Sequence, residues 1–157
     1  MTHIDFYITA ASNPDELLSF ACRLTEKAYR SHCDIYLHTE SEQQMLALDE
    51  KLWSFRANSF LPHRHENSEP EDSKTQNSDA TSAIKKGNIL IAHSGNVGEH
   101  HDVLINLTDK TPEFFSRFDR LAEIVSGTDT AKEKSRQRYK YYRDRGYPLK
   151  VHNLQLR

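Results

Sequence analysis

The chain has 157 residues, a formal net charge of -2 at pH 7, and 36% hydrophobic and 28% charged residues. This length is typical of one domain with a real core, so we predict a single domain over residues 1–157. No apolar run approaches the roughly 20 residues that a membrane-spanning helix needs, which excludes membrane insertion. The small net charge confines any attraction to acidic partners to a local surface.

The N-terminal half alternates predicted strands with predicted helices. Apolar residues at every second position predict a strand over residues 2–9. The segment SNPDE then supplies a capping residue, a first-turn proline and two carboxylates, which predicts a helix over residues 14–31. A second strand is predicted over residues 34–39, and a second helix over residues 41–53. Because Asp5 stands where a secretory signal is cationic, the first residues are expected to belong to the fold.

The composition changes in the middle of the chain. Residues 64–87 are rich in Ser, Asn, Glu and Asp, which predicts a mobile polar insertion rather than a second domain. The elements predicted after it are strands over residues 88–92, 103–107 and 121–125, a short helix starting at Thr111, and a final helix over residues 129–145 that Gly146 ends. This alternation predicts an α/β sandwich with a mostly parallel central sheet.

The phosphate-binding signatures common in such folds are missing. Glycines occur at positions 95 and 98, but neither the lysine nor the hydroxyl residue of a P-loop follows them. The first predicted strand leads into Ala11-Ser12-Asn13, with no glycine where a dinucleotide fingerprint has one. We therefore expect no nucleotide and no other cofactor.

Histidines and cysteines are the remaining candidates for catalysis or metal binding. Residues 63–66 and 100–102 combine histidines with a carboxylate, but their spacing is unspecific, and surface histidines are the simpler interpretation. Cys22 lies on a predicted apolar helix face, so Cys22 and Cys33 are interpreted as reduced, buried thiols of a cytoplasmic protein. Neither cysteine belongs to a recognisable nucleophile motif. We expect no metal site and no active site.

A basic, tyrosine-rich segment stands out near the C-terminus. Residues 132–150 hold eight Lys or Arg residues against two acidic ones, and RQRYKYYRDRG contains three tyrosines. On a helix, Arg136, Tyr139, Lys140 and Arg143 share one face. A solvated basic face is one interpretation. A surface that stacks single-stranded nucleic acid between tyrosines and arginines is another.

Several segments together carry a family resemblance. They are LDEKLWSFRANSFLPH (48–63), ILIAH (89–93), VLINL (103–107), FFSRFDRLAEIV (114–125) and SRQRYKYYRDRGYPL (135–149). In these, the sequence resembles the chi subunit of the bacterial DNA polymerase III holoenzyme over essentially the whole chain except residues 64–87. The resemblance implies a three-layer α/β/α fold that looks like a nucleotide-binding domain without a phosphate loop. It also implies a non-catalytic, replisome-associated adaptor of the clamp-loader complex.

The resemblance further implies the partners. Chi-like proteins bind the acidic C-terminal tail of single-stranded DNA-binding protein, which ends in Pro-Phe, and on another surface they bind the psi subunit. An accessory helicase is a third partner, thought to use the psi-binding face. DNA is then reached mainly indirectly, and the chain is expected to be a monomer alone or a heterodimer with psi.

A third functional class remains beside the adaptor and the nucleic-acid-binding module. It is a small-molecule enzyme that uses the carboxyl edge of the sheet.

The motif match assigns the tail-binding residues. Lys132, Arg136, Tyr139 and Lys140 correspond to tail-binding helix positions, and Val125 corresponds to an apolar wall. We assign Arg136 to the terminal carboxylate, Lys132 and Lys140 to acidic residues, and Tyr139 with Val125 to the phenylalanine ring.

Two positions near this set are treated differently. Arg143, on the same helix face, completes the expected set. The family can carry a hydroxyl residue where this sequence has Val151, so a hydrogen bond to the tail is expected to be absent and Val151 is left out.

The motif match assigns psi binding to Trp53, Phe60, Leu61 and Pro62. The apolar segment SFLP after a helix is a plausible exposed anchor, with Phe60 as the first choice. A core position is the alternative for Trp53. His63 is expected to fix the loop rather than contact a partner.

Overall fold

The computed structural model of the protein describes residues 1–54, 63–65, 89–94 and 100–154. Within these ranges the chain forms one sheet of seven strands, all paired in parallel, in the order β3-β4-β2-β5-β6-β1-β7. The strands are β1 His3–Ile8, β2 Ile35–His38, β3 Arg64–His65, β4 Ile89–Ala92, β5 Val103–Asn106, β6 Arg120–Val125 and β7 Leu149–Asn153. The helices are α1 Pro14–Arg30, α2 Glu42–Ser54, α3 Asp129–Asp144 and a short 3-10 helix, Phe115–Arg117. The predicted α/β class with a mostly parallel sheet is confirmed.

Side-chain caps begin the first and last α-helices where the sequence predicts them. The Asn13 side chain accepts a hydrogen bond from the Glu16 backbone N–H at 2.9 Å, and Pro14 occupies the first turn. The Thr128 hydroxyl accepts from the Ala131 N–H at 3.2 Å and begins α3. Helix α3 ends before Gly146, whose φ of 83° is the left-handed conformation that favours glycine after a helix.

Apolar clusters cover both faces of the sheet. One cluster joins α1 and α2 to the sheet through buried side chains such as Leu18, Leu48 and Ile105. The other lies beneath α3 and the 3-10 helix and includes Phe6 and Tyr142. Helices therefore lie on opposite faces, which is the three-layer α/β/α arrangement.

Three elements differ from the sequence prediction. Residues 64 and 65 form the edge strand β3 rather than the start of the insertion, and residues 66–87 of the predicted insertion lie outside the described residues. The helix predicted from Thr111 is a single 3-10 turn, because Phe118 already returns to extended backbone before β6. Strand β7 was not predicted, since LKVHN has only two apolar residues and depends on β1 for pairing.

The structure also places the cysteines. Both are free thiols, with Cys22 buried as predicted and Cys33 only partly buried. In the described ranges, no group of three or more His, Cys, Asp or Glu side chains is arranged to hold a metal ion. None of the helices in those ranges is long and apolar enough to cross a membrane.

Candidate functional site

Helix α3 passes over strand β1. It connects β6 to β7, and these two strands flank β1 in the sheet, so the connection has to cross β1. The ring of Phe6 on β1 packs against Tyr139 at 5.7 Å and Tyr142 at 6.0 Å between centroids. This packing anchors the middle of α3 above the apolar face of β1.

A pocket of about 300 Å³ opens where α3, β1 and β7 meet. Its lining residues are Phe6, Ile8, Lys132, Ser135, Arg136, Tyr139, Val151 and Asn153. Three of these side chains are aliphatic or phenyl groups, and two are cations from successive turns of α3. No carboxylate is among the described residues that line it. The pocket is therefore apolar inside and positive at its helical rim.

Arg136 is the cation best placed to meet a ligand. Its side chain is exposed, and no described residue forms an ion pair or hydrogen bond with its guanidinium group. One position earlier, Ser135 is buried, and its hydroxyl donates to the Lys132 carbonyl at 2.7 Å. A small residue that bonds to its own helix leaves room for the pocket between α3 and the sheet.

The structure brings half of the predicted tail-binding set together. Lys132, Arg136 and Tyr139 all line the pocket. Lys140 and Arg143 are exposed on α3 but are not among the lining residues, and Arg143 lies beside Asp144 at 3.4 Å.

Val125 is not a wall of this pocket. It is only 2% exposed, in the core beneath α3. The physical reason is the strand order: β1 lies between β6 and β7, so Val125 is one strand further inside than the pocket. Its register partner Ile8 on β1 takes the position that the motif match gave to Val125.

Five lining residues were missed by the sequence prediction: Phe6, Ile8, Ser135, Val151 and Asn153. The alternation along β1 put Phe6 and Ile8 on one face, but nothing in the sequence said that α3 crosses that face. Asn153 was missed because β7 itself was not predicted, and Val151 was left out because it lacks the hydroxyl that the family can carry there. Val151 is 50% exposed, which is unusual for an aliphatic side chain in a strand and is explained by its place in the pocket.

The three clustered tyrosines have three different environments. Tyr139 lines the pocket, and Tyr141 is partly exposed beneath the Arg145 guanidinium, 3.7 Å from its ring centre. Tyr142 is fully buried, and its hydroxyl donates to Glu123 at 2.5 Å. Burial and the Glu123 carboxylate raise the pKa of Tyr142. The cluster is therefore not a row of rings on one surface.

Arg138 is not part of the basic surface that the sequence predicts. It is buried, and its Nε donates to Glu123 Oε1 at 3.1 Å, so its charge is neutralised inside the protein. The positive surface of α3 thus comes from fewer cations than the sequence count indicates. The position of Arg138 was not predictable from the sequence, because it sits in the same run of cations as the exposed ones.

Trp53, the described member of the predicted psi-binding set, lies near the opposite edge of the sheet from the pocket. Trp53 at the end of α2 is 53% exposed, so the core alternative for Trp53 is wrong. Its ring packs on His63 at 4.7 Å, and the buried His63 ring nitrogen lies 3.2 Å from the Asp49 carbonyl oxygen. These contacts agree with a loop-fixing role for His63. Phe60, Leu61 and Pro62 lie outside the described residues.

Fold and site together define a parallel α/β/α protein with an apolar, cation-edged pocket where its last helix meets an edge strand. The chain matches the family model of the DNA polymerase III chi subunit, HolC, over residues 1–150. It belongs to that family, which confirms the resemblance and gives the chain an accessory role in DNA replication.

Three relatives agree with this membership, and a solved structure shares the fold. DNA polymerase III subunit chi of Pseudomonas aeruginosa is 38% identical over 154 residues, covering 98% of both chains. The subunits of Haemophilus influenzae and Escherichia coli are 30% and 26% identical, over 95% of this chain and 95% and 96% of the relative. The crystal structure of T4 UvsW superposes with a TM-score of 0.67 at 9% identity over 98% of this chain, which spans 41% of that one. That likeness shows the fold alone.

Proposed function

We propose that this chain is a non-catalytic adaptor of the clamp-loader complex that binds the acidic C-terminal tail of single-stranded DNA-binding protein in the pocket between α3 and β7. The observation that carries the proposal is the pairing of an apolar interior with Lys132 and Arg136 at its rim, without a carboxylate among the described lining residues. An anionic peptide that ends in an aromatic residue has the complementary chemistry.

Each part of the tail has a counterpart in the site. The terminal phenylalanine ring fits the apolar interior formed by Phe6, Ile8 and Val151. The planar Arg136 guanidinium suits a carboxylate, because its N–H groups form paired hydrogen bonds. Lys132 and the exposed Lys140, eight residues apart on α3, extend the positive field for upstream acidic residues. Tyr139 closes the side of the pocket on which it packs against Phe6.

The test is a titration with a fluorescent peptide of the last ten residues of the host's single-stranded DNA-binding protein. We expect micromolar affinity, about 8 kcal/mol, that weakens as salt rises. Arg136→Ala should weaken binding by about 10- to 100-fold, the loss of a charged hydrogen-bonding group. Arg143→Ala removes the same charge from the same helix outside the pocket and should change affinity by no more than about twofold, as expected of an exposed charge in salt.

Direct binding of single-stranded nucleic acid is the alternative that this titration must exclude. Tyr142 is buried, Tyr139 packs on Phe6, and Tyr141 is 37% exposed with the Arg145 guanidinium over its ring, which does not favour a stacking platform. An oligonucleotide that bound as tightly as the peptide, with the same dependence on Arg136, would overturn the peptide proposal.

We also propose that the surface around Trp53 binds the psi subunit, and that an accessory helicase is an alternative partner of the same face. A half-exposed tryptophan held by a buried histidine is a suitable anchor, because it offers a large apolar ring with little mobility to lose. Phe60, Leu61 and Pro62, from the adjacent segment, are proposed to extend this surface.

A further inference from the structure

Strand β7 is an edge of the sheet. It pairs with β1 on one side, and no described strand pairs with it on the other. The residues of β7 are partly or fully exposed, in contrast to the buried interior strands β4 and β5. An exposed edge presents backbone N–H and C=O groups that can pair with an added extended peptide.

Hydrogen bonds at the two ends of β7 identify which backbone groups face outward. The Ile4 N–H donates to the Pro148 carbonyl at 3.0 Å, and the Leu154 N–H donates to the Ile8 carbonyl at 2.8 Å. In a parallel pair, alternate residues of a strand bond to the same neighbour, so the even-numbered residues from Pro148 to Leu154 face β1. The N–H and C=O groups of Leu149 and Val151 therefore face the open edge.

The open edge and the pocket share a residue. The Val151 side chain lines the pocket on the α3 face, while the Val151 N–H and C=O face outward along the edge. A peptide whose terminal ring entered the pocket would have its backbone beside β7. In an antiparallel pair, two residues that lie opposite each other share a sheet face and can exchange both backbone hydrogen bonds, so a peptide residue opposite Val151 would have its side chain on the α3 face and its backbone toward β7.

We infer that the acidic tail binds as an added antiparallel strand on the outer edge of β7, with backbone hydrogen bonds to Val151; this inference rests on the proposed function of the same pocket. The terminal phenylalanine then belongs to the set of peptide residues that face β7. The third and fifth residues from the end belong to the same set, and the second does not. A proline at the second position from the end is compatible with this alternation, because a residue that faces away from β7 needs no N–H for pairing.

Peptide N-methylation tests the inference on the unmodified protein. Methylating the backbone nitrogen of the third residue from the end, counting the terminal phenylalanine as the first, removes a donor that faces β7. This change should weaken binding by about tenfold or more. Methylating the backbone nitrogen of the fourth residue from the end removes a donor that faces away from β7. This change should alter affinity by less than about threefold, because no hydrogen bond to the protein is lost. Equal effects at both positions would overturn strand addition.

Amide hydrogen exchange gives an independent measurement within the same sample. The Val151 amide should exchange more slowly when the peptide is bound, whereas the Lys150 amide, which already faces β1, should not change. Faster or unchanged exchange at Val151 in the saturated complex would overturn the inference. If the unmodified peptide binds and its binding depends on Arg136, but the two N-methylated peptides bind equally well, only the strand-addition inference is overturned. If the unmodified peptide does not bind, the proposed function is overturned as well.

Discussion

Glu123 is a carboxylate with no solvent exposure, held by three donors. Asn106 Nδ2 donates to its Oε1 at 2.9 Å, Arg138 Nε donates to the same oxygen at 3.1 Å, and the Tyr142 hydroxyl donates to Oε2 at 2.5 Å. Burial raises the pKa of the Glu123 carboxyl, while the Arg138 charge and the three donors act in the opposite direction. Two residues of α3 are thus tied to the centre of the sheet, directly below the helix that carries the candidate site.

The buried pair Glu123 and Arg138 predicts non-additive changes in stability. Glu123→Gln and Arg138→Met should each lower the free energy of unfolding by about 3–5 kcal/mol, because each leaves the other charge buried without its partner. The double variant should lose less than the sum of the two, by about 1 kcal/mol or more. Urea denaturation of the four proteins measures this. Additive losses would show that the two charges do not stabilise each other.

The two cysteines are expected to react at different rates with a thiol reagent. Burial raises the pKa of the Cys22 thiol to about 12, and burial together with Asp102 also raises the pKa of Cys33. Because the thiolate is the reactive form, Cys33 should react slowly at pH 8 and faster as pH rises, with a midpoint above that of an ordinary cysteine.

Cys22 should react only when the protein unfolds, since it is also inaccessible. A spectrophotometric thiol assay on Cys33→Ser is the control, and it should show no reaction until urea is added. Rapid labelling of folded Cys33→Ser would contradict the burial of Cys22.

At the scale of single elements, the ends of the helices were predictable because capping chemistry is local. The Asn13 and Thr128 side chains each satisfy one backbone N–H of the following turn, which needs no information from the rest of the chain. Strand β7 was not predictable, because an edge strand with two apolar residues is stabilised by its neighbour rather than by its own pattern.

Removal of either cap should reduce stability by a similar amount. Asn13→Ala and Thr128→Ala are each expected to lower the free energy of unfolding by about 1 kcal/mol, within a range of about 0.5–2 kcal/mol. Only Thr128 begins the helix that carries the pocket, so only Thr128→Ala should also weaken binding of the tail peptide. Denaturation and peptide titration of both variants separate the two effects. Equal weakening by Asn13→Ala would indicate a general loss of folding.

Gly146 should tolerate asparagine better than alanine. Its φ of 83° is costly for most residues, although a Cβ there would meet no atom within 4 Å. Gly146→Ala should therefore destabilise by about 1 kcal/mol through the backbone alone, and Gly146→Asn by less. Thermal unfolding of the two variants measures the difference. An alanine variant as stable as the wild type would contradict the left-handed conformation.

For the whole molecule, the two proposed partner surfaces lie at opposite edges of the sheet. The pocket adjoins β7, while Trp53 belongs to α2, which packs near β3 and β4. Six inter-strand spacings of about 4.8 Å separate the two edge strands, about 30 Å in total. The two proposed surfaces are therefore far enough apart to be occupied at the same time, as the adaptor proposal requires.

This separation predicts independent losses of binding. Trp53→Ala should weaken psi binding by more than about tenfold and leave the affinity for the tail peptide unchanged. Arg136→Ala should weaken binding of the tail peptide and leave psi binding unchanged. Because Trp53 is 53% exposed, its substitution should change stability by less than about 1 kcal/mol. Co-purification with psi and the peptide titration measure both. Loss of both partners in either variant would show that the surfaces are coupled.

By itself, the sequence determined the α/β class, the boundaries of the three α-helices and the presence of Arg136 and Tyr139 on one helix face, because periodicity and capping act over a few residues. Only the tertiary structure decided that Arg138 and Tyr142 turn inward to Glu123, that Ile8 rather than Val125 borders the pocket, and that Val151 completes it. Those outcomes depend on strand order, and strand order arises from contacts between residues more than a hundred positions apart.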